Sequence, residues 1–243
     1  MTKAVITHFR RSPFHFARKG ALASVRPDDL AARTIVKLVE DSGIPPEDIE
    51  DLLLGTAFPE AEQGFNLGRV EAFLSHLPIS VAGATVNRFC GSSMTAIHMA
   101  VGAIAAGAGH AFICAGVESM TRVPSPGYNF LPNPTLVKDY PQVYISMGDT
   151  AENLAKQYQI TRTDQEEMAV VSHRRAAAAA AAGAFAEELV PIATRDGTVD
   201  RDGTIRADTS REALATLKPA FQATGTVTAG TSSPSGRHFR SHS

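Results

Sequence analysis

The chain has 243 residues, 44% of them hydrophobic, with 23 Lys and Arg against 25 Asp and Glu for a net charge of −2. A chain this long buries a sizeable core without disulfide or metal staples, and its balanced charge gives no electrostatic footprint for nucleic acid or an anionic membrane surface. Two cysteines, Cys90 and Cys114, are too few for a secreted disulfide scaffold.

The first 120 residues alternate between two periodicities. Ala4–Thr7 reads as a short strand, followed by a basic loop carrying Arg10, Arg11, Arg18, Lys19 and Arg26. The Arg10-Arg11 pair is not followed by the apolar stretch of an export signal. No window reaches the ~18 to 20 consecutive apolar residues of a membrane span. A cytoplasmic protein is therefore expected.

Asp28–Ser42 places Leu30, Ala31, Thr34, Ile35, Leu38 and Val39 on one helical face, with Gly43 as the stop. After a proline turn, Asp51–Thr56 reads as a strand, Asn66–His76 as a helix and Val81–Val86 as a strand. Ser92–Ala106 is a helix and Ala111–Val117 a strand. Strands alternating with helices predict an α/β fold, one mostly parallel sheet with helices on both faces.

The pattern breaks over 118–144, where Pro124, Pro126, Pro132, Pro134 and Pro141 predict loop. Two helices are then expected. One spans Asp149–Gln159, capped through Asp149 and Glu152; the other starts at Thr163, with Glu166 three residues on, and ends near Gly183. Residues 184–220 read as irregular, and Thr226–Thr228 as the start of a strand. From Ser235 the composition turns polar and aperiodic, which suggests a segment read out of frame.

Cys90 has the most informative setting. It follows an apolar strand, precedes a helix, and is trailed by Gly91, Ser92 and Ser93. Unpaired N–H groups at a helix N-terminus favour negative charge on sulfur. The C-terminal edge of a parallel sheet is also where α/β proteins place ligands. Cys90 is thus a candidate covalent nucleophile; the other reading is a buried structural cysteine. Cys114, mid-strand among Phe112, Ile113 and Ala115, reads as core. None of the eight histidines has a local context that marks it as the partner base. His98 lies ~12 Å along the helix from Cys90 at 1.5 Å per residue, out of reach. No metal-ligand spacing is present.

The stretch Val86-Asn87-Arg88-Phe89-Cys90-Gly91-Ser92-Ser93-Met94 resembles the nucleophile motif of the thiolases. Gln63-Gly64-Phe65-Asn66-Leu67-Gly68-Arg69, Ala115-Gly116-Val117-Glu118-Ser119-Met120, Met147-Gly148-Asp149-Thr150-Ala151-Glu152 and Gly225-Thr226-Val227-Thr228-Ala229-Gly230 resemble the same family in the same order. The likeness covers roughly residues 1–233 and is nearest in flavour to acetyl-CoA acyltransferase, the 3-ketoacyl-CoA thiolase type.

The resemblance implies an incomplete thiolase-like fold. Its divisions are an N-terminal α/β half over 1–120, an inserted helical loop domain that binds CoA over 121–225, and the start of a returning strand with an aberrant tail over 226–243. It implies acyl transfer between CoA and a 3-ketoacyl-CoA, as in fatty acid metabolism and β-oxidation, through a Cys90 thioester. CoA is a substrate, no cofactor or metal is implied, and family members are homo-oligomers. By motif position, Met147, Arg206, Phe221, Ala229 and Ser233 fall where members contact CoA. The other readings are core for Met147 and Phe221 and a solvated charge for Arg206. Ser146 stands where many members carry histidine, and Ala213 where some carry serine.

The family's second half carries the histidine base and a second cysteine, and neither motif occurs in these 243 residues. The expectation is therefore an N-terminal half with its loop domain, inactive alone. The alternative is a non-catalytic remnant or an acyl-CoA-binding half that needs a separate second half.

Overall fold

The computed structural model describes residues 3–233. The chain forms two compact units. One comprises the residues up to Tyr128 together with Ala186–Gly203; the other comprises Asn129–Phe185 with the residues from Thr204 on. These divisions differ from the motif boundaries because 186–203 returns to the first unit. The reason is local: Arg11 N–H donates to Glu188 O, Val190 N–H donates to Arg11 O, and the Arg11 guanidinium pairs with Glu188 and Asp202. The Arg10-Arg11 pair thus has a structural use at Arg11.

The first unit is built on a three-stranded parallel sheet in the order β2–β1–β3, with β1 at Asp51–Gly55, β2 at Ala82–Val86 and β3 at Phe112–Gly116. β1 lies between its two neighbours with Leu53 opposite Ala84 and Cys114. Its three leucines show why the sheet has a helix layer on each face. Successive strand residues point to opposite faces. Leu52 and Leu54, both fully buried, join Ala31 and Ile35 of α1 (Pro27–Ser42) and Leu67 and Ala72 of α2 (Leu67–Leu74). Leu53 points the other way, onto Ala96 and Ala100 of α3 (Ser92–Ala105). Each such leucine contributes roughly 1.5–3 kcal/mol by burial.

The N-terminal segment corrects one expectation. Residues 4–7 form no strand, and Val5 and Ile6 are exposed. Two apolar residues among polar ones give no periodic face, and a strand without a hydrogen-bonded neighbour does not hold. The same unit contains a short antiparallel hairpin, β4 (Ile192–Thr194) and β5 (Gly197–Val199), where sequence predicted irregular chain.

The second unit is helical. The proline-rich stretch is not all loop: α4 (Pro134–Asp139) is capped by the Asn133 side chain, and a 3-10 turn follows at Pro141–Tyr144. Both use proline at the first helical turn, where its missing N–H costs nothing. α5 (Met147–Gln157) and α6 (Arg162–Ala181) start earlier than expected because different residues cap them. Ser146 Oγ accepts the Asp149 N–H at 3.0 Å, and Thr161 with Asp164 forms a reciprocal capping box. Thr163 and Glu166 lie inside α6, and Glu166 instead pairs with Arg162. α7 (Arg211–Ala215) is capped by Ser210.

Thr226–Thr228 forms no strand. Its backbone instead meets Pro219–Ala220, with Ala220 N–H donating to Val227 O at 2.9 Å. The aperiodic tail from Ser235 lies outside the described residues. Among the described residues no helix is long and apolar enough to cross a membrane, and no group of three or more His, Cys, Asp or Glu side chains is placed to hold a metal.

Candidate active site

Cys90 sits in the turn between β2 and α3, at the C-terminal edge of the sheet, and is exposed. It is not the buried structural cysteine of the competing reading. The turn is a sharp elbow. Phe89 adopts φ +47°, the left-handed region that side chains avoid at a cost of roughly 1–2 kcal/mol. Two neighbours hold it there. Asn87 Oδ1 accepts the Phe89 N–H at 2.9 Å, and the Asn87 amide donates to Ala57 O at 3.1 Å. Ser92 Oγ, buried, accepts the Arg88 N–H at 2.9 Å and donates to Phe89 O at 2.6 Å.

No side chain caps α3, whose N-cap is Gly91. The positive end of its dipole therefore faces the turn that carries Cys90, where it can stabilise negative charge developing on a substrate or on sulfur. Gly55 at the end of β1 lets this helix approach: a Cβ there would stand 2.5 Å from Ser93 N and 2.6 Å from Ser92 C. The helix start, and with it the elbow, rests directly on the strand backbone.

Beneath the elbow lies a polar network. Gln63, fully buried, donates to Glu118 Oε1 at 2.5 Å and to Phe58 O at 3.0 Å, and accepts the Ser119 N–H at 2.7 Å. Glu118 also accepts the Ala57 N–H at 2.6 Å. Ala57 is the residue whose carbonyl holds Asn87, so the network reaches the elbow in one further step. Sequence reasoning assigned no role to Asn87, Ser92, Gln63 or Glu118. All four lay inside motif stretches, and Asn87 and Glu118 carried the further signal of a polar residue just past a strand end.

Cys114 behaves as predicted for core. It is half-buried on the α3 face of the sheet with Sγ 3.5 Å from Ala96 O, and burial, with the Asp51 charge adding to it, pushes its thiol pKa up. Both changes reduce its reactivity.

The five residues marked for CoA contact all belong to the second unit. Met147, the first residue of α5, is 69% exposed and is not core. The Phe221 ring lies across Gly148, so closely that a Cβ at Gly148 would overlap it. Glu152, buried one turn further along α5, accepts N–H groups from Thr226 at 2.9 Å and Val227 at 2.8 Å. One carboxylate thus ties the Met-Gly-Asp-Thr-Ala-Glu stretch to the Gly-Thr-Val-Thr-Ala-Gly stretch. It brings Met147, Phe221 and the segment bearing the exposed Ala229 into one neighbourhood. Ser233 is exposed. Arg206 is held elsewhere in this unit, against His173 of α6.

Residues 4–235 match the family model for the thiolase N-terminal domain. The chain belongs to the thiolase family. Among curated thiolases it is similar to the 3-ketoacyl-CoA thiolase of Bacillus subtilis (strain 168), at 42% identity over 96% of this chain and 63% of that protein. It is also similar to that of Shewanella loihica, at 43% identity over 96% of this chain and 62% of that protein. The crystal structure of the Bacillus anthracis acetyl-CoA acetyltransferase superposes with a TM-score of 0.80 at 36% identity, covering 93% of this chain and 61% of that one. The α/β fold is therefore a thiolase fold, and the chain spans less than two thirds of the length of these relatives.

Proposed function

We propose that this chain provides the nucleophile and CoA-binding segment of an acyl-CoA acyltransferase that works on 3-ketoacyl-CoA thioesters. The observation that carries the reading is Cys90, exposed on a strained elbow at the uncapped start of α3. In the thiolytic direction, Cys90 sulfur attacks the 3-keto carbonyl of the substrate. The bond between the 2- and 3-carbons breaks, acetyl-CoA leaves after protonation of its 2-carbon, and the shortened acyl group stays on sulfur as a thioester. Free CoA then takes that acyl group. Dividing the reaction at a thioester replaces one hard step with two easier ones. The route calls on no resident cofactor, since CoA enters as substrate.

The similarity of the chain to 3-ketoacyl-CoA thiolases supports the substrate class, and the Met147–Phe221–Ala229 neighbourhood and Arg206 supply candidate CoA contacts. A cytoplasmic location accords with two free cysteines. Assembly into a homo-oligomer follows from the family reading.

The test is acetoacetyl-CoA thiolysis by the purified 243-residue chain, alone and with the C-terminal part of a 3-ketoacyl-CoA thiolase supplied. Among the described residues no histidine hydrogen-bonds Cys90, and losing a general base typically costs 10²–10⁴-fold in rate. Turnover is expected only with the added segment, and Cys90→Ser is expected to remove it. Turnover that survives Cys90→Ser would refute the proposal.

A further inference from the structure

Gln63 is a fully buried polar side chain beneath the C-terminal edge of the sheet. The backbone is strained on both sides to put it there. Ala61 and Phe65, which flank Gln63 around its 3-10 turn (Ala61–Gln63), adopt φ +48° and +58°. Side chains avoid this left-handed region, and such strain persists only where the surroundings over-determine it. The direction of the Gln63 amide is fixed by two backbone partners. Its oxygen accepts the Ser119 N–H at 2.7 Å, and its nitrogen donates to Phe58 O at 3.0 Å. Only an oxygen can do the first and only a nitrogen the second. The other amide hydrogen goes to Glu118 Oε1 at 2.5 Å.

This pair grips three consecutive peptides just past β1. Glu118 Oε2 accepts the Ala57 N–H at 2.6 Å, which fixes the Thr56–Ala57 peptide. Gln63 holds Phe58 O, which fixes the Phe58–Pro59 peptide. The Ala57–Phe58 peptide lies between the two, and its oxygen receives the Asn87 amide at 3.1 Å. Ser92 Oγ lies 3.4 Å from Thr56 O. Asn87 and Ser92 are the two side chains that keep Phe89 in its left-handed conformation. Both are therefore seated on backbone that Gln63 and Glu118 hold.

We infer that Gln63 and Glu118 are positioning residues for Cys90. They touch neither the thiol nor a substrate. They act through Asn87 and Ser92, holding the elbow strained so that the sulfur stays at the uncapped start of α3. The inference rests on the proposed reading of Cys90 as the nucleophile and adds what keeps it in place. Misplacing a reacting atom by 1 Å can cost about 10²-fold in rate, so a hold of this kind bears directly on chemistry. The pairing is also specific in its polarity. Both Glu118 oxygens accept, one from Gln63 and one from the Ala57 N–H. An amide at position 118 would offer a single acceptor to those two donors.

The experiment compares the full chain, Glu118→Gln, and the double variant Gln63→Glu with Glu118→Gln. Iodoacetamide rates at Cys90 and Cys114 are read by peptide mass mapping, the Phe89 backbone conformation by NMR, and folding by circular dichroism. Glu118→Gln should slow Cys90 about tenfold, the loss of one charge-assisted hydrogen bond, and release Phe89 from its left-handed conformation, with Cys114 unchanged. The double variant reverses the side-chain hydrogen bond. The amide at 118 then donates to the new carboxylate and keeps its oxygen for the Ala57 N–H, while the carboxylate still accepts from Ser119. It should bring Cys90 back to within about threefold of the parent and restore Phe89. A Cys90 rate unaltered or raised in Glu118→Gln, or a folded double variant as slow as the single one, overturns the inference while the nucleophile reading stands. A parent chain in which Cys90 reacts no faster than Cys114 counts against the nucleophile reading instead, and the Phe89 signals then show separately whether the pair holds the elbow.

Discussion

Glu71 on α2 is fully buried, and neither carboxyl oxygen has a hydrogen-bond partner. Ser75, one turn on, is buried with its hydroxyl equally unpartnered. Burial drives the Glu71 pKa up from 4.5 to about 9, and the charges of Asp28 and Asp29 add to it. The native fold thus holds a neutral carboxyl that ionises once the chain unfolds. The sign follows from proton counting: between those two values the unfolded state has lost the proton and the folded state keeps it, so stability falls as pH rises. Each pH unit costs about 1.4 kcal/mol. By pH 7 the loss relative to pH 4.5 is roughly 3 kcal/mol, a large share of the 5–15 kcal/mol typical of a whole domain. Glu71→Gln keeps the shape and removes the titration. In urea unfolding followed by circular dichroism, the variant should exceed the parent by about 3 kcal/mol at pH 7 and by under about 1 kcal/mol at pH 5. An identical pH dependence in the two proteins would show that Glu71 is solvated or partnered, and the reasoning would fail.

Iodoacetamide should alkylate Cys90 at least roughly tenfold faster than Cys114, because one thiol is exposed while the other is half-buried with a raised pKa; equal rates by peptide mass mapping would contradict the elbow. Gly55→Ala places a Cβ against the backbone of Ser92 and Ser93. It should cost about 1–3 kcal/mol and change the Cys90 alkylation rate while sparing that of Cys114; an unchanged rate would mean that α3 does not set the elbow. Gly148→Ala forces the Phe221 ring off its seat. Calorimetry should then show CoA affinity reduced by about tenfold, the scale of one displaced aromatic contact; unaltered affinity would remove Phe221 from the CoA contacts.

The parallel sheet and its helices were legible because periodicity is local. The leucine run of β1, the apolar stripe of α1 and the small-residue start of α3 each state their own structure. Cys90 was legible for the same reason, since strand, thiol and helix are consecutive in sequence. The caps at Ser146 and Thr161 were misplaced by two or three residues because each stretch contains more than one serine, threonine or acid able to cap. The pairing of Arg11 with Glu188 and Asp202, the tie from Glu152 to Thr226, and the meeting of His173 with Arg206 join residues 33 to 191 positions apart. No local pattern encodes such contacts. The strand expected at Ala4–Thr7 failed for the converse reason: strand character depends on a partner, which a local reading does not see.

The central claim is that Cys90 accepts an acyl group from a CoA thioester. The direct measurement is to incubate the chain, with the C-terminal part of a 3-ketoacyl-CoA thiolase supplied, with acetyl-CoA, quench in acid and map thioester adducts by peptide mass spectrometry. The account predicts an acetyl group on the Cys90 peptide, absent in Cys90→Ser and absent from the Cys114 peptide. No adduct on Cys90 under conditions where CoA binds, or equal acetylation of Cys114, would contradict it.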